Sequence, residues 1–313
     1  MKLVINIPCY NEQETLHLVL KELPKKIEGI STIEVQVVDD GSTDKTALIA
    51  TQFKVNRIIK HKKNLGLGIS FKDGMNAALE AGADIFVNTD ADNQYPSRYI
   101  ASLVKPILEN KADIVIGNRV PWKVKHFSPA KRLFQYLGNI ITRNIAGSNV
   151  PDTVSGFRAY SKEAMLRLNI TTKFSYVLDT IMQASKKGLV IKSIQIETNA
   201  PTRRSRLFKN MFEHIKKSAI NILRCYSVYE PFRTFILGSL VFFTPALILL
   251  ARFLYYYFEG NGAGKIQSLI ISAILFFLGG LMVSLGILGE LIGTNRQLVE
   301  EQLYLKKKEI YKK

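Results

Sequence analysis

The chain has 313 residues, 47% of them hydrophobic, with 43 Lys and Arg against 26 Asp and Glu, for a formal net charge of +17. That length holds one large α/β domain and something besides it, and the charge implies a polyanionic partner. No nucleic-acid module signature accompanies it, so the partners expected are anionic membrane lipids or phosphorylated substrates, and not nucleic acid. The two cysteines, Cys9 and Cys225, exclude a disulfide framework and have no metal-ligand spacing, which suits a reducing compartment.

In chain order, the first two hundred residues alternate apolar runs with helical periodicity, the pattern of an α/β parallel sheet with crossover helices. Strands are predicted at 3–7, 34–38, 57–59, 85–88, 113–117 and 190–196. Helices are predicted at 12–26, 43–52, 67–81, 97–109, 130–145, 162–168 and 176–187. The opening Met1–Pro8 is too short and too β-like for a signal peptide. Asn11 with Glu14 three residues on has the form of a capping box for the first helix. From Ser205 to Tyr229, Leu207, Phe208, Met211, Phe212, Ile215, Ala219, Ile222 and Leu223 repeat at helical spacing, with Lys209, Lys216, Lys217 and Arg224 largely between them. Such a basic amphipathic helix suits an anionic leaflet.

Residues 235–251 carry no charge, the apolar character resumes after Arg252 as far as Phe258, and 268–289 is uncharged throughout. Each stretch is about the length of a membrane-spanning helix, roughly 20 residues, and the short link 259–265 makes them a hairpin. Arg224 and Arg233 precede the first; Arg296, Lys306, Lys307, Lys308, Lys312 and Lys313 follow the second. The positive-inside rule then puts both termini and the catalytic part in the cytoplasm, at a cell (inner) membrane crossed twice. The expected division is 1–204 catalytic domain, 205–233 amphipathic juxtamembrane segment, 234–293 two transmembrane helices (about 234–258 and 266–292), and 294–313 basic cytoplasmic tail.

Ligands of parallel sheets bind beyond the carboxyl ends of the strands, where the polar clusters of this chain fall. Asp90-Ala91-Asp92, with Gln94, follows the run Ile85–Val87. Carboxylates at i and i+2 of a strand point the same way and repel unless a cation lies between them, and hard divalent ions take such oxygen ligands together with substrate phosphates. Strand one ends in Pro8-Cys9-Tyr10-Asn11-Glu12 and strand two in Val38-Asp39-Asp40-Gly41-Ser42. A carboxylate there can accept from a base N–H or a ribose hydroxyl while an aromatic flanks the ring. Asn64-Leu65-Gly66-Leu67-Gly68 is not a dinucleotide fingerprint, because Phe71 stands where its third glycine belongs. Arg119 ends the strand neighbouring the acidic one, and its planar fork suits phosphate.

Read in order, PCYNE, VVDDGSTD, NLGLG, NTDADNQYP, GNR and DTVSGFRAY, then a basic juxtamembrane segment and two spans, resemble the family-2 glycosyltransferases of GT-A fold. The likeness is greatest to the polyprenyl-phosphate glycosyltransferases, the dolichyl-phosphate mannose synthase group. It implies that Pro8, Tyr10, Glu12, Val38 and Asp40 hold the nucleotide, and that Asp90, Ala91, Asp92 and Gln94 hold Mg2+ or Mn2+ and the diphosphate. It assigns Arg119, Arg132 and either Ser155 or Arg158 to the lipid phosphate, with Arg203 or Arg204 on that phosphate or on the donor. That last loop departs from the family's GxSK element, reading Thr202-Arg203-Arg204-Ser205-Arg206. The implied reaction is inverting transfer of a sugar from a nucleotide-diphosphate sugar, UDP- before GDP-, to undecaprenyl or dolichyl phosphate. Asp92, Arg119 and Asp152 are its catalytic candidates. A phosphate monoester is largely dianionic at neutral pH and needs no strong base, so Asp152 can orient the acceptor, act as a base, or only cap a turn. A lipid-hydroxyl acceptor and a non-catalytic nucleotide-sugar scaffold are the alternatives. The single Trp122 is outside any QxxRW motif, which argues against a processive polysaccharide synthase. Whether the chain forms a homo-oligomer is left open.

Overall fold

The computed structural model describes residues 1–119, 152–172, 176–200, 220, 223–224 and 226–312. The helix expected at 130–145 and most of the basic segment 205–229 lie outside them. The chain forms two compact units: residues 1–218 with 302–313, and residues 219–301.

The first unit is built on one sheet of β1 (Lys2–Cys9), β2 (Thr32–Asp39), β3 (Arg57–Lys60), β4 (Ile85–Asn88), β5 (Ile114–Asn118), β6 (Arg158–Ser161) and β7 (Ile191–Gln195), in the order β3-β2-β1-β4-β6-β5-β7. Its neighbours pair in parallel, except that β6 runs antiparallel to both β4 and β5. Leu3, Ile5, Ile7, Val37, Val87 and Val115 are at most 1% exposed and form the core with Leu103 and Val104. Each such burial contributes about 1.5–3 kcal/mol. The winding reverses between β1 and β4, which opens a crevice at their carboxyl ends.

Among the described residues up to 200, the helices of this unit are α1 (Leu16–Glu22), α2 (Thr46–Gln52), α3 (Leu67–Glu80), α4 (Ile100–Leu108), α5 (Lys162–Arg167) and α6 (Val177–Lys186). The first one corrects the sequence reading. No capping box forms at Asn11, which sits at φ 57° and accepts from the Thr43 N–H at 2.8 Å. The Glu12 N–H goes to Thr46 Oγ1 at 2.8 Å, so 11–15 is a turn tied to the β2 loop and the helix starts only at Leu16. The predicted helix at 97–109 begins as a 3-10 turn, Ser97–Tyr99. Strand β6 has no predicted counterpart.

Within the second unit, α7 (Pro231–Phe258) leads through a 3-10 turn, Gly262–Lys265, into α8 (Ile266–Ile310). Both stretches are long and apolar enough to cross a membrane, and only 11% and 17% of their apolar windows are buried. Where α7 meets α8, small residues admit large ones. A Cβ on Gly279 would stand 2.6 Å from the Phe243 ring, and one on Gly289 would stand 2.7 Å from Pro231. Ser272 donates to the Ala246 carbonyl at 2.8 Å, which settles a buried hydroxyl inside an apolar hairpin.

The segment expected as a basic tail is helical to Ile310, and from 302 it belongs to the first unit. Tyr304, 6% exposed, donates to Glu163 at 3.0 Å, with the Arg167 guanidinium 4.4 Å from its ring centre. Lys307 Nζ reaches Leu168 O and Asn169 Oδ1 at 3.0 and 2.9 Å. A cation on the carbonyl of Leu168, the residue that ends α5, is favourable at a helix C-terminus.

Candidate active site

The acidic pair lies just past β4. That strand ends at Asn88, so Asp90 and Asp92 leave it through a turn and not, as the sequence suggested, along one strand face. Ala91 and Tyr95 are 3% and 4% exposed and anchor this turn in the core. The intervening Asp90, Asp92 and Gln94 stay half-buried. Asn93 takes φ 59°, and the Gln94 N–H donates to Asp92 Oδ1 at 3.1 Å. Asn199 ties the turn from the far side, through Gln94 O at 3.0 Å and Asn93 O at 2.9 Å.

Against this turn lies the loop 152–156. A Cβ on Gly156 would come within 3.2 Å of Asp90 Oδ1 and 3.3 Å of Oδ2, and within 3.2 Å of the Tyr176 hydroxyl. A side chain there would have to displace Asp90 or Tyr176 by a few tenths of an ångström. From its other end Asp152, fully buried, grips Arg119 by two parallel bonds, Nε to Oδ2 at 2.7 Å and Nη2 to Oδ1 at 3.0 Å. The amides of Arg119 and Val154 add bonds of 3.2 and 3.3 Å to the same carboxylate. Burial alone would raise the Asp152 carboxyl, but the Arg119 charge and its bonds prevail and hold it below the usual range. Burial opposes the charge of Arg119, yet Tyr95, Asp152 and Asp90 leave the guanidinium more firmly protonated than usual. The Tyr95 hydroxyl, buried and facing Asp90 and Asp152, is pushed up to about 12 despite Arg119.

Several expected ligand contacts are placed otherwise. Arg158, assigned with Ser155 to the lipid phosphate, is 0% exposed. Its guanidinium donates to Ser155 O, Val177 O, Thr180 Oγ1 and Thr153 O at 2.8–3.0 Å. It is a loop anchor, because its donors are spent inside the protein. Ser155 is also buried. Asp40, 4% exposed, accepts from His61 Nδ1 at 2.7 Å and from the Leu65 and Gly66 amides at 2.9 Å, so its carboxylate holds the 61–66 loop. His61 reaches Asp73 with its other nitrogen at 3.2 Å. Pro8 and Val38 are register partners buried in the sheet, and the Glu12 carboxylate accepts from Thr15 at 2.9 Å. Tyr10 stands at the end of β1 with 41% of its surface open. Arg132, Arg203 and Arg204 lie outside the described residues.

Sequence reasoning passed over Asp39. It is fully buried, its Oδ1 takes the Ser42 N–H at 2.9 Å, and its Oδ2 has no partner among the described residues. A buried carboxylate oxygen costs free energy until something donates to it. The adjacency of two aspartates was visible, but that both are buried, one on the 61–66 loop and one with an unpartnered oxygen, was not.

The donor set fits a hard divalent ion. Among the described residues no three His, Cys, Asp or Glu side chains gather as a metal group; the half-buried carboxylates of Asp90 and Asp92 on this turn are oxygen donors of the kind such an ion takes when substrate phosphates complete its shell.

A parallel sheet with one reversed strand, an acidic turn after β4 and a cation-bearing loop beside it define a GT-A glycosyltransferase. A model of glycosyl transferase family 2 matches residues 4–168, more than half of the chain, and the protein belongs to that family. The uncharacterised glycosyltransferase YkoT of Bacillus subtilis is 31% identical over 309 residues, covering 93% of this chain and 87% of its own. The UDP-N-acetylglucosamine--dolichyl-phosphate N-acetylglucosaminyltransferase of Methanococcus voltae is 29% identical over 61% of this chain and 83% of its own. The undecaprenyl-phosphate mannosyltransferase of Micrococcus luteus is 27% identical over 63% and 83%. In fold the chain resembles glucosyl-3-phosphoglycerate synthase of Mycobacterium tuberculosis, solved with Mn2+, UDP and glucosyl-3-phosphoglycerate, at a TM-score of 0.56 and 18% identity over 72% of this chain and 78% of that one.

Proposed function

We propose that this glycosyltransferase moves a sugar from a nucleotide-diphosphate sugar, UDP-linked before GDP-linked, to a polyprenyl phosphate, with inversion, at the cytoplasmic leaflet. One observation carries the reading: the loop whose Asp152 pairs with Arg119 packs directly on Asp90, so a fixed cation is tied to the loop that lies against the acidic turn. The two apolar helices, and relatives named for dolichyl and undecaprenyl phosphates, support a lipid acceptor.

In this reading Tyr10 flanks the base and the buried, unpartnered oxygen of Asp39 accepts an N–H or O–H from the nucleoside. Asp90 and Asp92 would hold Mg2+ or Mn2+, which when bound neutralises charge on the leaving diphosphate. Among the described residues the side chain of Arg119 spends two of its five N–H groups on Asp152, and the remaining ones would serve the acceptor phosphate. Asp152 is the anchor of that arginine and not a base, since a carboxyl held low in pKa is a poor proton acceptor at neutral pH. The acceptor, already dianionic, brings its own nucleophile, and the residues serve to position it and to balance charge.

The test is sugar transfer by purified protein in detergent, from radiolabelled UDP- and GDP-sugars, to undecaprenyl phosphate or to its alcohol, with and without EDTA. Label on the phosphate alone, lost with EDTA, is expected. Label on the alcohol or on a glycerolipid overturns the mechanism, and nucleotide binding without any transfer points to a scaffold.

A further inference from the structure

At the centre of the sheet, where a parallel fold normally carries apolar residues, four polar side chains stand in direct register across four strands. Gln36 of β2 pairs with Asn6 of β1, Asn6 with Asn88 of β4, and Asn88 with Arg158 of β6. All are at most 2% exposed. Register partners share a face of the sheet, and three of the four are linked into a chain. Gln36 Nε2 donates to Gly74 O at 2.6 Å and to Asn6 Oδ1 at 2.8 Å. Asn6 Nδ2 donates to Asn88 Oδ1 at 2.8 Å. Asn88 Nδ2 then leaves the sheet, donating to Gly156 O at 3.2 Å and to the Tyr176 hydroxyl at 2.8 Å. Tyr176 itself donates to Gly156 O at 3.1 Å.

The row ends on one short loop. Asn88 and Tyr176 take the carbonyl of Gly156, while Arg158 takes those of Ser155 and Thr153. This is the loop whose Asp152 holds Arg119 and whose Gly156 abuts Asp90. Buried amides are costly unless every bond is made, and apolar residues would fill the sheet at less cost. The row instead fixes three carbonyls of a loop that no strand ladder holds. The α3 helix gives it room, since a Cβ on Gly74 would lie 2.3 Å from Asn6 Oδ1.

We infer that Asn88, Tyr176 and Arg158 are positioning residues. Through the polar row they set where loop 152–156, and with it Arg119, stands relative to Asp90, and so set acceptor binding. The second half of this statement rests on the proposed function; the first does not. Tyr176→Phe removes one hydroxyl and keeps the ring stacked on Phe71, whose centre is 3.7 Å away. Asn88→Ala removes the junction itself.

Hydrogen exchange of the full-length protein without substrate reads the positioning. Both variants should raise exchange of the amides of 152–157 about tenfold while β1 and β2 keep their protection. Kinetics read the role: KM for the polyprenyl phosphate should rise about tenfold, with the nucleotide-sugar Kd by calorimetry within twofold of wild type. If Tyr176→Phe leaves loop exchange unchanged, the inference is overturned whatever the acceptor is. A loosened loop with an unmoved acceptor KM, or with donor Kd rising in parallel, overturns the acceptor role. Wild-type protein that never labels polyprenyl phosphate refutes the proposed function alone, and the exchange result still stands or falls separately.

Discussion

Substituting Asp152 by Asn tests the role proposed for its buried carboxylate, an anchor for Arg119 and not a base. Asparagine keeps one acceptor oxygen and puts an amide against the Arg119 guanidinium, so at least one of the two bonds at 2.7 and 3.0 Å is lost. Removing one partner of a buried ion pair costs about 3–5 kcal/mol. Arg119 retains 13% side-chain exposure and can regain some water, which favours the low end, about 3 kcal/mol. For a unit of some two hundred residues that lowers Tm by about 6–12 °C. Circular dichroism melts of the detergent-solubilised protein measure it. The sign with pH follows from the depressed carboxyl: its stabilisation is complete above the unfolded value, about 3.9, and is lost as pH falls through the lower folded value. The gap between wild type and Asp152→Asn should therefore be constant from pH 7 to about 5 and close only below about pH 4. A Tm within 2 °C of wild type refutes the anchor. So does unchanged stability with activity lost about 10⁴-fold and the acidic limb of the rate profile abolished, which is the signature of a base.

Three further outcomes are expected. Asp92→Ala should lower transfer by about 10³-fold and remove Mn2+ binding, measured by titration of the ion's paramagnetic signal, with Tm little changed. Gly41→Ala should cost about 1–3 kcal/mol, because Gly41 sits at φ 74° and a Cβ would lie 2.5 Å from the Lys63 carbonyl carbon; a chemical denaturation curve reads this directly. Cys9 should resist iodoacetamide at pH 8 in the native protein and react once unfolded, as peptide mass mapping would reveal, since burial first and then Glu12, Asp39, Asp44 and Asp90 push its thiol well up.

The parts of the fold legible in the sequence were those that the core dictates. The run Ile85–Asn88 is buried on both faces and reads as a strand over the same residues in sequence and structure. Strand β6, Arg-Ala-Tyr-Ser, is too short and polar to announce itself; it is held by antiparallel pairing to β4 and β5, partners remote in sequence. The turn at 11–15 imitates a helix start, but the Asn11 side chain accepts from the Thr43 amide and the Glu12 amide donates to Thr46, some thirty residues on, and no local rule sees that distance. Among the site residues, the acidic turn, Arg119 and Asp152 were visible as motif pieces. The inward turn of Asp40 and Arg158 was not, because the spacing of a charged residue does not tell whether its partner is a ligand or a backbone carbonyl. Asn6, Gln36 and Asn88 went unremarked for the same reason: each alone interrupts an apolar run, and only the register reveals them as a row.

The discontinuity of the first unit bears on how the chain acquires its structure. Residues 302–313 complete a body that begins at Met1, so during synthesis it must wait for the whole intervening hairpin before Tyr304 and Lys307 can close on α5. A fragment ended before the hairpin, the usual route to a water-soluble catalytic piece, would leave the Leu168 carbonyl at the end of α5 without Lys307. A synthetic peptide spanning 302–313, added in trans, is the remedy that this architecture suggests.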